Sequence, residues 1–495
     1  MHHVVALLIP AWGHVVSYIP LATRMLEADS SLVITLVQHA LLVAQMESEL
    51  ALFEYDHARL KVVALGDPNV PFGPTAIKVS FQQLIGGWIE LLPKLMTPQE
   101  GAWPPPQAMH LDFFAGGPCL EAMKALAPNV KLLDWFSAAA VSMIAHFSEH
   151  DYAALAQSIH QDEKRSKGRS YDEILSDVVA ASNGTDKLNG SVVRLPGAPE
   201  MYDWETHAHA TGPPEGIGGL LAAAQAFAKA ADGYILVASS ATEPEGVSQT
   251  REYYEKLGKK VFCVGPQLHD SYWGGAPSSK VSSEKVAKFL YAAEAKYGPK
   301  SVLFVSFGSL FFPVTTPHLV AALVETLLTL DAPFPFIFAL GGKMASLPAE
   351  LIERVNSSGK GLICHFWVEQ RAILQSGTIG WFLSHGGWNG PSSVSESVSQ
   401  GIPLILWPAN AEQPMNAAIL SNGSKAVAFE LLQVIGSVKG PFSASTHEFK
   451  DVFKKARGEE GKRLRANVER MAQDLRDSRK DEGQAEIERL VAFCS

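Results

Sequence analysis

Residues 4–9 read Val-Val-Ala-Leu-Leu-Ile and residues 301–306 read Ser-Val-Leu-Phe-Val-Ser, and each of these apolar runs opens a series of similar runs. Turn residues bound the runs and longer stretches with helical spacing separate them, which is typical of β-α-β units with a parallel sheet. The further runs are 32–37 and 130–133 in the first series, and 336–338, 361–364, 379–383 and 404–407 in the second. The pattern predicts an α/β protein with two Rossmann-like domains.

A length of 495 residues also favours two large domains, since one domain usually holds roughly 100 to 250 residues. Two domains imply a cleft between them. Gly and Pro punctuate the segment 266–285, which predicts an interdomain linker. The predicted division is 1–265, linker 266–285, 286–470 and a helical tail 471–495. The polar segment 157–192 is predicted to be a mobile insertion.

Composition excludes several classes of function. The net charge is −10 and no cluster of Lys and Arg stands out, which argues against nucleic acid binding. Pro10 and Gly13 interrupt the first apolar run, and no run reaches about 18 apolar residues, so neither a signal peptide nor a transmembrane segment is expected. The cysteines are far apart and predict reduced thiols. We expect a cytoplasmic monomer.

The most informative stretch is residues 367–416, WVEQRAILQSGTIGWFLSHGGWNGPSSVSESVSQGIPLILWPANAEQPMN. It resembles the donor-binding signature of plant-type family-one UDP-sugar glycosyltransferases, and weaker similarity includes 231–245, 305–309 and 457–465. The resemblance implies a GT-B fold, in which two Rossmann-like domains face each other across a cleft and a C-terminal helix returns to the first domain. It also implies a UDP-sugar as co-substrate.

Several positions of this stretch have a physical interpretation as well as a family role. An aromatic face such as that of Trp367 can stack on uracil, which is the role of this Trp in the family, and the alternative is a core Trp at a strand end. The resemblance assigns the uracil edge to the backbone of Val368 and the ribose to Glu396, with Gln370 nearby. Glycines after the strand 379–383 let backbone N–H groups approach an anion, which predicts a pyrophosphate site. The predicted donor-binding residues are Ser309, Trp367, Val368, Gln370, His385, Gly387, Trp388, Asn389, Gly390, Glu396, Glu412 and Gln413.

Two features of the signature bear on the donor. Glu412 and Gln413 occupy the two positions whose side chains bind hydroxyls of the transferred hexose in the family. Members with Gln at the second position usually use UDP-glucose. The segment from Asn389 to Glu396 is three residues longer than in typical plant relatives, which leaves open the phosphate contacts of Gly390 and its neighbours.

Transfer of a sugar to an acceptor hydroxyl needs a base, because an alcohol that keeps its hydroxyl proton is a poor nucleophile. His14 follows the first strand in Pro-Ala-Trp-Gly-His, where parallel sheets place ligands, and the resemblance makes it the general base. Asp112 matches the Asp that orients this His, and the alternative is a surface loop Asp. The implied reaction is one inverting displacement. The sequence has no Asp-x-Asp motif, so we expect neither a metal nor a cofactor.

Aromatic and apolar residues near the catalytic turn predict a lipophilic pocket for a phenolic, terpenoid, sterol-like or fatty hydroxyl. Each of them is also a candidate for the core. The predicted acceptor-pocket residues are Trp12, Phe81, Trp88, Phe113, Trp135 and Met143. Two other functions stay open, a UDP-sugar epimerase of the same fold and a non-catalytic sugar-nucleotide-binding subunit.

Overall fold

The computed structural model describes residues 1–70, 76–147, 151–182, 188–207, 217–274, 280–308, 312–313, 316–340, 345–388, 394–409, 411–436 and 447–495. Contacts divide the chain into two compact units. The first unit is formed by residues 1–186, 212–268 and 478–495, and the second by residues 187–211 and 269–477.

Fifteen strands are present in the described part of the chain. In chain order they are β1 His2–Leu7, β2 Leu32–His39, β3 Leu60–Leu65, β4 Ala108–Asp112, β5 Lys131–Phe136, β6 Val192–Val193, β7 Met201–Tyr202, β8 Gly233–Leu236, β9 Lys260–Cys263, β10 Val302–Ser306, β11 Phe336–Ala339, β12 Gly361–Cys364, β13 Ile379–Ser384, β14 Leu404–Leu406 and β15 Ala428–Glu430. The predicted runs in both series correspond to strands, shifted by a few residues at most.

The α-helices of the same residues are α1 Trp12–Val16, α2 Tyr18–Ala28, α3 Ala40–Leu50, α4 Ala76–Met96, α5 Phe113–Leu126, α6 Ala140–Phe147, α7 Tyr152–His160, α8 Glu163–Ser166, α9 Tyr171–Ser182, α10 Ile217–Ala230, α11 Pro244–Lys256, α12 Glu284–Tyr297, α13 Pro317–Thr329, α14 Ala349–Ser358, α15 Gln370–Leu374, α16 Val394–Ser399, α17 Gln413–Ser421, α18 Leu432–Gly436, α19 His447–Ala456, α20 Glu459–Lys480 and α21 Glu482–Cys494. Short 3-10 turns span His57–Arg59, Glu205–His207 and Asp270–Trp273.

The first unit is built on a seven-stranded parallel sheet in the order β3-β2-β1-β4-β5-β8-β9. β2 and β4 are buried along their whole length, as expected for strands covered on both faces. Leu7 of β1 pairs with Leu111 of β4, so the carboxyl ends of these two strands are aligned. The residues that follow β1 and those that end β4 therefore lie at one edge of the sheet.

The second unit contains a six-stranded parallel sheet in the order β12-β11-β10-β13-β14-β15. Ser306 at the end of β10 pairs with Ser384 at the end of β13. The chain leaves β10 towards β11 on one side, while β13 lies on the other, and such a reversal of strand order is where open α/β sheets bind ligands. The loop 385–388 begins at this point.

The contacts divide the chain differently from the predicted boundaries. Residues 187–211, within the predicted first domain 1–265, belong to the second unit. Residues 269–274, within the predicted linker, belong to the second unit, where Ser271 and Tyr272 are buried. Residues 478–495 belong to the first unit, and α21 packs on α2 and β9 there, which confirms the predicted return of the C-terminal helix.

The prediction of a mobile insertion at 157–192 is wrong for its helical part. Helices α7 and α9 pack against each other and against α10 around Tyr152, Ile174 and Val179. Apolar side chains at helical spacing, hidden within a polar composition, produce this small cluster. In the described residues, no helix combines the length and the apolar character that a membrane crossing needs.

Candidate functional site

The first candidate site is the pair of His14 and Asp112, which follows from the alignment of β1 with β4. Oδ2 of Asp112 lies 2.7 Å from Nδ1 of His14, and its Oδ1 accepts a hydrogen bond of 3.2 Å from the backbone N–H of Phe114. Asp112 is fully buried, whereas the His14 side chain is 23% exposed. Asp112 thus ends β4, caps α5 and orients an imidazole.

This contact decides which nitrogen of His14 is basic. An ionised carboxylate only accepts hydrogen bonds, so the neutral ring carries its hydrogen on Nδ1, and Nε2 is the nitrogen that takes up a proton. The structure therefore brings the two residues together in the arrangement that general-base chemistry requires. Their catalytic role stays a prediction.

Aromatic side chains hold and surround His14. The Phe113 ring centroid is 5.7 Å from that of His14. Trp135 donates a hydrogen bond of 3.2 Å from Nε1 to the backbone oxygen of His14, and it packs edge-on against Tyr18 with a centroid distance of 5.0 Å. The backbone at His14 is therefore held by Trp135 of β5.

The predicted acceptor-pocket residues fall into two groups. Trp12, Phe81 and Phe113 are partly exposed. Trp88, Trp135 and Met143 are 0% exposed, which is a core position and presents no surface to an acceptor. The core alternative therefore fits these last three residues, while the first three stay candidates for the pocket.

The second candidate site is the loop after β13 in the second unit. Gly386 has a φ of +86°, and a Cβ on Gly387 would lie 2.6 Å from Nε2 of His385, so side chains are disfavoured at both positions. Nδ2 of Asn416 donates a hydrogen bond of 2.9 Å to the backbone oxygen of Gly386. Asn416 thus has a structural role that holds this loop.

His385 is buried in this loop, and burial lowers its pKa to about 4. The imidazole is therefore neutral near pH 7. It can meet an anion as a hydrogen-bond donor, not as a cation.

Ser309, Asn389 and Gly390 lie outside the described residues, so their predicted phosphate contacts remain predictions. The described residues on the two sides of this longer segment, 387–388 and 394–395, are nevertheless in contact. The N–H of Val394 donates a hydrogen bond of 2.9 Å to the backbone oxygen of Gly387, and Oγ of Ser395 donates one of 2.8 Å to that of Trp388. Helix α16 therefore starts directly beside the glycine loop. The Trp388 side chain is 1% exposed and belongs to the interior.

Glu396 and Gln370, the predicted ribose residues, are in contact. Nε2 of Gln370 donates to Oε2 of Glu396, while Oε1 accepts a hydrogen bond of 2.5 Å from the Tyr272 hydroxyl. Glu396 is 9% and Gln370 is 8% exposed. A carboxylate held in this way keeps lone pairs for ribose hydroxyls.

The remaining donor residues differ in exposure. Trp367 is 61% exposed, which fits a stacking surface and not a core Trp. Val368 is 7% exposed, and its backbone oxygen accepts a hydrogen bond of 2.9 Å from the N–H of Gln370. Gln413 is buried at the start of α17, where its Oε1 accepts a hydrogen bond of 2.9 Å from the N–H of Ala409, and Glu412 precedes it as the N-cap residue.

Tyr272 is a further residue of the candidate site, and it was not predicted from the sequence. Its only signal was the Gly- and Pro-rich composition of the segment around it, which indicates a linker. In the described residues no group of three or more His, Cys, Asp and Glu could hold a metal ion. The four cysteines are buried and free.

Comparison with known proteins points to one family. Residues 277–437 match the family model described as UDP-glucoronosyl and UDP-glucosyl transferase. The UDP-glycosyltransferase eriJ of Hericium erinaceus is 31% identical over 344 residues, which is 66% of this chain and 65% of the fungal protein. A flavanone 7-O-glucoside 2''-O-beta-L-rhamnosyltransferase of Citrus maxima is 34% identical over 37% of this chain and 38% of its own length. The chain thus spans just under two thirds of the fungal relative and less of the plant one.

The fold has a close counterpart among solved structures. A UGT transferase from Siraitia grosvenorii, crystallised in complex with UDP, superposes with a TM-score of 0.70 and 18% identity, and all of both chains is covered. Two parallel α/β sheets in two domains are shared with that structure. This likeness concerns the fold.

Proposed function

Because the chain belongs to the UDP-glycosyltransferase family, with a GT-B fold, we propose that it transfers a hexose from a UDP-sugar to a hydroxyl of a small lipophilic acceptor. The hydrogen bond between His14 and Asp112 carries the proposal. It supplies an oriented base, which a protein that only binds sugar nucleotides does not need.

In the proposed reaction, Nε2 of His14 removes the proton of the acceptor hydroxyl. The oxygen attacks C1 of the sugar, the bond from C1 to the diphosphate breaks, and UDP leaves with inversion at C1. Asp112 stabilises the imidazolium that forms. His14 then returns its proton to solvent.

For the donor, we propose that uracil stacks on Trp367 and that ribose binds Glu396 and Gln370. The diphosphate would meet the neutral His385 and the N–H groups beside Gly387, which supports a reaction that needs no metal. The four buried free thiols fit a reducing compartment such as the cytosol, where we expect a monomer.

We propose glucose as the hexose, supported by Gln413 directly after Glu412. The named Citrus relative transfers rhamnose, so the sugar needs its own experiment. Purified protein is incubated with UDP-glucose, UDP-galactose or UDP-rhamnose and a panel of hydroxylated aromatics, terpenoids, sterols and fatty alcohols. Conjugates and UDP are then measured by mass spectrometry, and we expect UDP-glucose to give the most conjugate.

The same incubation separates the other two functions. An epimerised UDP-sugar without conjugate would indicate an isomerase. Binding of UDP-glucose without any turnover across the panel would indicate a non-catalytic subunit. Either result would contradict the proposed transfer.

A further inference from the structure

Tyr272 lies in the 3-10 turn Asp270–Trp273, at the start of the longer segment 269–477 of the second unit, and only 1% of its surface is exposed. Its hydroxyl donates the hydrogen bond of 2.5 Å to Oε1 of Glu396. Its backbone oxygen accepts a hydrogen bond of 3.0 Å from Nε2 of Gln400. The ring also faces the Arg371 guanidinium at 5.9 Å. Helices α15 and α16 therefore hold this tyrosine in place.

The neighbouring residue Ser271 strengthens the attachment of this turn. Its Oγ accepts a hydrogen bond of 3.1 Å from Nε2 of Gln375, which follows α15. The turn is thus held by Gln375 and Gln400, which directly follow the helices that carry Gln370 and Glu396. A segment of Gly- and Pro-rich sequence is in this way made part of the predicted nucleotide site.

The two donors on Glu396 act on different oxygens. Tyr272 binds Oε1 and Gln370 binds Oε2, so the plane of the carboxylate is fixed and each oxygen keeps acceptor capacity. Burial, and then the Glu396 carboxylate, hold the pKa of Tyr272 well above its usual range, so its hydroxyl remains a donor at neutral pH.

We propose that Tyr272 is a positioning residue that sets the recognition of ribose hydroxyls through Glu396. This inference rests on the proposed function, because Glu396 must face the ribose of a UDP-sugar. It extends that function by a residue from outside the signature at 367–416. Without the Tyr272 hydroxyl, Oε1 loses its fixed direction and the ribose hydroxyls lose a preorganised acceptor.

The test compares two nucleotides on the full-length protein by isothermal titration calorimetry. UDP has both ribose hydroxyls, and 2′,3′-dideoxy-UDP has neither. We expect the wild-type protein to prefer UDP. In Tyr272→Phe, the Kd of UDP should rise about tenfold, which corresponds to about 1.4 kcal/mol, while the Kd of the dideoxy nucleotide stays within about twofold. Tyr291→Phe, at a position that is 78% exposed in α12, is the matched control.

A double-mutant cycle tests whether Tyr272 acts through Glu396. In a Glu396→Gln background, Tyr272→Phe should have no further effect on the preference for UDP, because the acceptor is already altered. Melting temperatures of all variants show whether the fold is retained, and the ratio of the two Kd values is independent of the active fraction.

Two results would overturn the inference. One is an equal loss of affinity for both nucleotides in Tyr272→Phe, which is what a general structural role produces. The other is an unchanged preference for UDP. A wild-type protein that binds neither nucleotide would contradict the proposed function itself, whereas an unchanged preference in the variant contradicts only the role of Tyr272.

Discussion

His14 is the side chain on which the proposed chemistry depends most directly. Its replacement by Ala removes the base but leaves the second unit unchanged, so transfer should fall by at least about a hundredfold. The Kd of UDP, measured by calorimetry, should stay the same. His318→Ala, at an exposed position in α13, is the control. Unchanged turnover in His14→Ala would remove this residue from the mechanism.

Asp134 on β5 is a fully buried carboxyl whose two oxygens have no hydrogen-bond partner among the described residues. Burial, and then the Asp112 carboxylate, hold its pKa well above the usual range. The folded chain thus keeps a proton that the unfolded chain, with an Asp pKa of about 3.9, has lost. Stability therefore falls as the pH rises above about 4, by up to about 1.4 kcal/mol per pH unit.

Asp134→Asn removes this titration. We expect the variant to gain free energy of unfolding relative to the wild-type protein between about pH 5 and about pH 8, measured by chemical denaturation at both values. Asp474→Asn, at an exposed position in α20, should show no such gain. A difference between Asp134→Asn and wild type that does not grow with pH would mean that Asp134 is ionised or paired in solution.

The C-terminal helix α21 packs in the core of the first unit, and a substitution that weakens this packing tests how much the helix stabilises that unit. Leu490 is 0% exposed, and α21 packs on α2 and β9 of the first unit. Truncation of a buried Leu to Ala costs about 2 to 5 kcal/mol. Leu490→Ala should therefore raise hydrogen exchange in α2 and β9 and leave the sheet of the second unit protected.

Glu488→Ala, on the exposed face of the same helix, is the matched control for Leu490→Ala. The two variants differ in whether a core contact is lost. Equal exchange in both would show that α21 contributes little to the first unit.

Elements were predictable where local patterns decide them. The apolar runs at 32–37 and 361–364 become strands because each is short, bounded by turns and buried on both faces. The segment 157–192 was not predictable in this way. Its helices are stabilised by contacts with α10, which lies about fifty residues further along the chain.

For the molecule as a whole, we expect transfer without a divalent cation. Protein treated with EDTA and then desalted should keep its rate of conjugate formation, because the diphosphate would be met by hydrogen-bond donors near His385 and Gly387. Readdition of Mg²⁺ or Mn²⁺ should change this rate by less than about twofold. A loss on chelation that Mg²⁺ or Mn²⁺ restores would contradict the metal-independent mechanism.

The amino-acid order alone was sufficient for the α/β class, the two series of parallel strands, and the pairing of His14 with Asp112. The class and the strands follow from short-range periodicity, whereas the pairing of His14 with Asp112, which are 98 positions apart, was predicted from the resemblance to a known family. The partners of Glu396 and the state of Asp134 were decided only by the fold. A hydrogen bond between residues 124 positions apart, such as that of Tyr272, and the loss of water around a carboxyl both depend on which distant segments pack together, and no local pattern encodes that packing.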